Sequence, residues 1–98
     1  MEQRKDRRFP IQQPVDIKIH GEDGWRNVDG ITKNASASGV FLLADSPIPL
    51  GAKVELTIIL TARVKVHSPG KVVRVTPSGD KIGIAVACDR PFTELRAS

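Results

Sequence analysis

Apolar and polar side chains alternate with a period of two along most of this chain, the pattern of strands that bury one face. Val15-Asp16-Ile17-Lys18-Ile19 is the first such run. Pro10 and Pro14 precede it, fixing extended backbone and predicting a strand near a sheet edge. Gly21-Glu22-Asp23-Gly24 reads as a turn, and Trp25 to Lys33 as a second strand anchored by Trp25, Val28 and Ile31. A small polar stretch, Asn34 to Gly39, separates it from a short strand at Val40 to Leu43. Ala44 to Gly51, with two prolines and a final glycine, predicts irregular chain. Val54 to Leu60 is the clearest strand, with Val54, Leu56, Ile58 and Leu60 on one face. Val64 and Val66 continue the alternation, Ser68-Pro69-Gly70 breaks it, and Lys71 to Thr76 resumes it with Val73 and Val75 inward. Pro77-Ser78-Gly79-Asp80 predicts another turn, after which Ile82, Ile84 and Val86 alternate with Gly83, Ala85 and Ala87.

No stretch of ten residues carries a helical apolar period. Short strands separated by turn signals predict an all-β fold, a six-stranded antiparallel β-barrel, because closure removes exposed edges from a small sheet. The expected organisation is a flexible arginine-rich arm at residues 1–9, a barrel at 10–92 and a C-terminal tail at 93–98. At most a short helical turn follows Asp89-Arg90-Pro91-Phe92. No internal repeat or low-complexity tract is present.

The 98 residues suffice for one modest core. The net charge of +4 and pI near 9.6 point to an anionic partner. Arg4-Lys5-Asp6-Arg7-Arg8 places four cations against one carboxylate, so much of the excess lies at one end. A single cysteine, Cys88, excludes an internal disulfide and fits a reducing compartment. No apolar h-region follows the basic N-terminus, and no apolar run approaches the roughly 20 residues of a membrane helix. The expected location is the cytoplasm.

Catalysis finds no candidate set. His20 and His67 are far apart without acidic or cysteine companions at ligand spacing, so neither a metal nor another cofactor is expected. Cys88 lies in an Ala-Val-Ala-Cys strand with no neighbouring base, and Ser36 is outside any nucleophile elbow. A binding module fits better than an enzyme. Arg4 and Arg8 are spaced so that an anion could sit between two guanidinium forks, each able to grip a phosphate or read O6 and N7 of guanine. Taken alone, that cluster is equally a solvated basic tail. Asn34-Ala35-Ser36-Ala37-Ser38-Gly39 can bend tightly, admit a positive φ and turn N–H groups outward, and taken alone is more often a purely structural turn than a binding one.

Together the two stretches resemble the PilZ domain, a bacterial receptor module for the second messenger cyclic di-GMP. Its hallmarks, an R-x-x-x-R arm and a [D/N]-x-S-x-x-G turn, read here as Arg4 to Arg8 and Asn34 to Gly39, in the family's order. Phe9-Pro10-Ile11, the proline-rich loop ending at Gly51, Gly70 to Val75 and Ile82-Gly83-Ile84 also look like the family. The resemblance implies that Arg4 and Arg8 clamp the phosphates and the Hoogsteen edge of guanine. Asn34 and Ser36 would hydrogen-bond guanine, and Gly39 would let the backbone approach the ligand. Lys5 and Arg7 would add field, and Arg74, on a strand across the barrel, would be a further cation. Gln3 stands where many relatives carry another arginine, a position that bears on whether one ligand or a stacked pair binds. The resemblance further implies a downstream protein partner. Two other readings are a ligand-free interaction adaptor and a basic barrel for single-stranded nucleic acid. The second wants aromatic platforms, and the chain has no Tyr, one Trp and three Phe.

Overall fold

The computed structural model describes residues 8–21 and 24–89. The expected helical turn, the tail and most of the arm lie outside the described residues. Among the described residues seven strands form: β1 (Phe9–Pro10), β2 (Pro14–Gly21), β3 (Gly24–Ala35), β4 (Gly39–Ala44), β5 (Lys53–Ile59), β6 (Lys65–Ser78) and β7 (Lys81–Cys88). All pair antiparallel, in the order β1-β3-β2-β5-β6-β7-β4, and β4 returns to β3. Six strands therefore close a barrel, as the alternation predicts, and β1 is an extra piece on the end of β3. No helix interrupts the described chain.

Inward positions at every second residue fill the barrel. Val15, Ile17 and Ile19 of β2 meet Val40, Leu42, Val54, Leu56, Ile58, Val72, Ile84 and Val86, all buried. Ile48, from the irregular loop, closes over them. Each such side chain contributes about 1.5–3 kcal/mol of transfer free energy.

Several local expectations are corrected. β2 is not an edge strand, since β3 flanks it on one side and β5 on the other; Pro14 is tolerated as its first residue. Trp25 and Ile31 are not anchors of β3, being 48% and 51% exposed. Register explains this, because Trp25 stands opposite His20 on the outer face while Val28 stands opposite the buried Ile17. The inner face of β3 therefore runs Val28, Gly30, Thr32. Ser68-Pro69-Gly70 does not break β6; Ser68 and Gly70 point inward and the strand continues. That parity puts Val72 in the core and Val73 outside at 53% exposure. A bulge between Val72 and Arg74 then resets the phase. Val75 stands opposite buried Ile84 yet is 39% exposed, because β5 has ended. Pro77 and Ser78 remain in β6, and only Gly79 and Asp80 turn.

Candidate functional site

The polar stretch joins β3 to β4 as a tight bend held from within. Ser36 N–H donates to Gly39 O at 2.8 Å, and Ser38 N–H donates to Ser36 Oγ at 3.3 Å. The two serine hydroxyls stand 3.5 Å apart. Cys88 N–H, at the end of β7, donates to Ser38 O at 2.8 Å, tying the bend to the barrel wall. Ser36 is buried, and its hydroxyl helps shape the bend by accepting from Ser38 N–H. Gly39 has no positive φ. Its glycine is explained by contact instead, because a Cβ there would lie 2.5 Å from Val86 O. The close approach at Gly39 is thus to the neighbouring strand.

Asn34 comes just before the bend, where the β3–β4 register shifts between Thr32 and Asn34. Its Oδ1 accepts a hydrogen bond from Arg8 Nη1 at 2.6 Å, across 26 residues of sequence. This is the shortness of a charge-assisted bond. β1 makes it possible, since Pro10 pairs opposite Asn34 and Phe9 opposite Ala35. Arg8, the last cation of the arm, therefore meets the residue that opens the polar bend. Among the described residues the Arg8 side chain hydrogen-bonds only Asn34, and the rest of its planar fork is free to take an anion or a base edge.

Of the other expected residues, Gln3, Arg4, Lys5 and Arg7 lie outside the described residues. Arg74 is exposed on β6 and does not join the pair. The registers run Asn34 to Phe41, to Ala85, to Arg74. Three strand spacings of about 4.8 Å put it roughly 14 Å away around the sheet.

Beside the bend lies a cavity of about 590 Å³, walled by the chain from Phe9 to Gln13, by Ala35 to Ala37, and by Ile58, Leu60 and Val66. Its walls are largely apolar. The cavity is not visible in the sequence as a motif. Its wall from Phe9 to Gln13 is the chain that runs along β3 before β2 begins. At the edge of the bend, burial pushes the Cys88 thiol pKa up, a hydrogen bond with Ser68 partly offsets this, and the Asp89 charge adds to the rise. Among the described residues no cluster of His, Cys, Asp or Glu is placed to hold a metal ion.

The described residues thus form a small closed six-stranded barrel with a polar glycine-ended bend and an arginine laid against it. The PilZ domain family matches residues 2–97, and the chain belongs to that family. Its fold is similar to that of the inhibitor of motility MotI/DgrA of Bacillus subtilis, with a TM-score of 0.70 at 16% identity, covering 95% of this chain and 46% of that one. It is also similar to MrkH of K. pneumonia, solved as a complex with c-di-GMP, with a TM-score of 0.61 at 16% identity, covering 96% of this chain and 47% of that one. The PilZ domain of YcgR from Escherichia coli, solved with c-di-GMP, gives 0.55 at 14% identity over 94% of this chain and 79% of that one. The chain spans about half the length of MotI/DgrA and of MrkH. No curated protein matches it in sequence. Among the described residues no helix is long and apolar enough to cross a membrane.

Proposed function

We propose that this chain is a non-catalytic, cytoplasmic receptor domain for cyclic di-GMP, and that the arm and the bend together form its site. Family membership and the complexes of MrkH and YcgR with this nucleotide support the ligand class. The observation that carries the reading for this chain is the 2.6 Å contact of Arg8 with Asn34, which joins the two hallmark stretches. The ligand is a dianion with two guanines. It needs forked cations for its charge and neutral polar groups for base identity. Arg8 supplies a fork already turned by Asn34, and Arg4, four residues earlier, supplies the second. Asn34 contributes an amide without repelling the phosphates, as an aspartate would. Ser36 and Gly39 hold the bend against which a guanine lies.

Lys5 and Arg7 add positive field, and Gln3 bears on whether one nucleotide or a stacked pair is held. Closing residues 1–9 over the nucleotide is the signal, a segment ordered by its ligand, and the closed face is what a downstream protein reads. Calorimetric titration with cyclic di-GMP tests this. Saturable binding is expected for the natural chain and its loss in the double variant Arg8→Ala/Asn34→Ala; equal binding by both would contradict the reading.

A further inference from the structure

β1 and β2 pair with the same edge of β3, and the ladder between them does not match. Pro10 stands opposite Asn34 and Pro14 opposite Ile31. Three residues, Ile11, Gln12 and Gln13, therefore face only two, Thr32 and Lys33. A plain ladder cannot pass such an insertion without stranding backbone groups. The backbone resolves part of it, since Ile11 N–H donates to Lys33 O at 3.1 Å and Thr32 N–H donates to Gln13 O at 2.9 Å. Gln13 N–H and Ile11 C=O are taken up by a side chain. Thr32 Oγ1 accepts from Gln13 N–H at 2.9 Å and donates to Ile11 O at 2.8 Å, with Gln13 O a longer acceptor at 3.3 Å.

Thr32 is 0% exposed and lies opposite Leu42, itself in the core. Packing alone would be served better by valine, which has the same shape and no hydroxyl to desolvate. The hydroxyl instead pins the root of the arm, three residues before β2 begins. From that point only Pro10 and Phe9 separate the pinned segment from Arg8. The same short run of β3 thus holds the root through Thr32 and receives the guanidinium through Asn34.

We propose that Thr32 is a positioning residue for the nucleotide site: its buried hydroxyl clamps the arm root and so sets where Arg8 lands. This rests on the receptor reading above. Thr32 touches no ligand; it acts through residues 11–13.

Three variants separate the clamp from mere packing. Thr32→Val keeps the shape and removes the hydroxyl, Thr32→Ser keeps the hydroxyl, and Thr32→Ala removes it without any risk of overpacking should the valine variant fold poorly. Without nucleotide, Thr32→Val is expected to speed amide exchange at Gln13 by about tenfold or more, while core amides such as Ile17 and Leu56 keep their protection. Thr32→Ser is expected to restore it. With nucleotide, Thr32→Val and Thr32→Ala are expected to raise the Kd of cyclic di-GMP about three- to tenfold, the scale of one lost hydrogen bond, and Thr32→Ser to stay within about twofold of the natural chain. If the natural chain binds and Thr32→Val binds equally well, the positioning role is overturned while the receptor reading stands. If the natural chain does not bind at all, the receptor reading falls and this role for Thr32 falls with it.

Discussion

The two ends of β3 each set a half-open side chain beside a cation, and they use it differently. At the Gly24 end, Trp25 meets the ring of His20 with centroids 3.5 Å apart, and the Lys18 ammonium lies 5.5 Å from the Trp25 ring. Both partners belong to β2, the other arm of the same hairpin, with His20 directly opposite Trp25. At the other end, Asn34 receives Arg8 from 26 residues away. Contacts within a hairpin cost little loop closure and finish a surface that is already assembled. A contact delivered by a distant segment has to be held in place, here by two residues of β1 and the Thr32 hydroxyl. It also leaves most of a guanidinium fork unspent, where a lysine over a ring has no fork to offer. An exposed cation near a polar or aromatic group is therefore no site in itself. What marks one is the long-range delivery of a group with unused, directional donors.

Gly39→Ala should give the largest effect, since its Cβ would press within 2.5 Å of Val86 O, a backbone atom that cannot step aside. A loss of about 2–4 kcal/mol is expected from the denaturant midpoint. An unchanged midpoint would mean that the bend is not wedged against β7. Arg8→Ala comes next. Removing one charge-assisted contact worth about 1.5–3 kcal/mol should weaken cyclic di-GMP roughly 10- to 150-fold, read by calorimetry, with little change in melting temperature. Trp25→Ala should do the reverse, costing about 1 kcal/mol of stability and leaving nucleotide affinity unchanged. A fall in affinity there would erase the distinction between the two ends.

The smallest effect is in pH. Cys88 has a raised thiol pKa, chiefly through burial. Its protonated form is favoured in the fold, so that contribution is complete below the ordinary thiol value of 9.0 and is lost as pH rises through the folded-state value. The natural chain should lose slightly more stability than Cys88→Ala across that alkaline window, and equal slopes would contradict the burial effect.

β2, β5 and β7 are legible in the sequence because their inner faces are filled by Val, Leu and Ile at every second position. β3 hides its phase. Two of its inner positions are Gly30 and Thr32, so the larger Trp25 and Ile31 draw the eye to the wrong face. Gly30 is small for a reason seen only in three dimensions, as a Cβ there would lie 2.7 Å from Leu43 O. β6 hides its phase in the same way, with Ser68 and Gly70 inward before Val72. Pro69 between them costs one ladder donor and does not end the strand. At the site, the spacing of Arg4 to Arg8 and of Asn34 to Gly39 is visible as motif, but the meeting of Arg8 with Asn34 is a matter of register. Thr32 looks like any strand threonine until three residues are counted against two.

The most direct test is a titration of the isotope-labelled chain with cyclic di-GMP, followed by amide shifts along the whole of β3. Saturable shifts are predicted at Arg8 and from Asn34 to Gly39, with Trp25 and its neighbours on β2 silent. Shifts centred on Trp25, or none at all at saturating nucleotide, would contradict a site built where Arg8 meets Asn34.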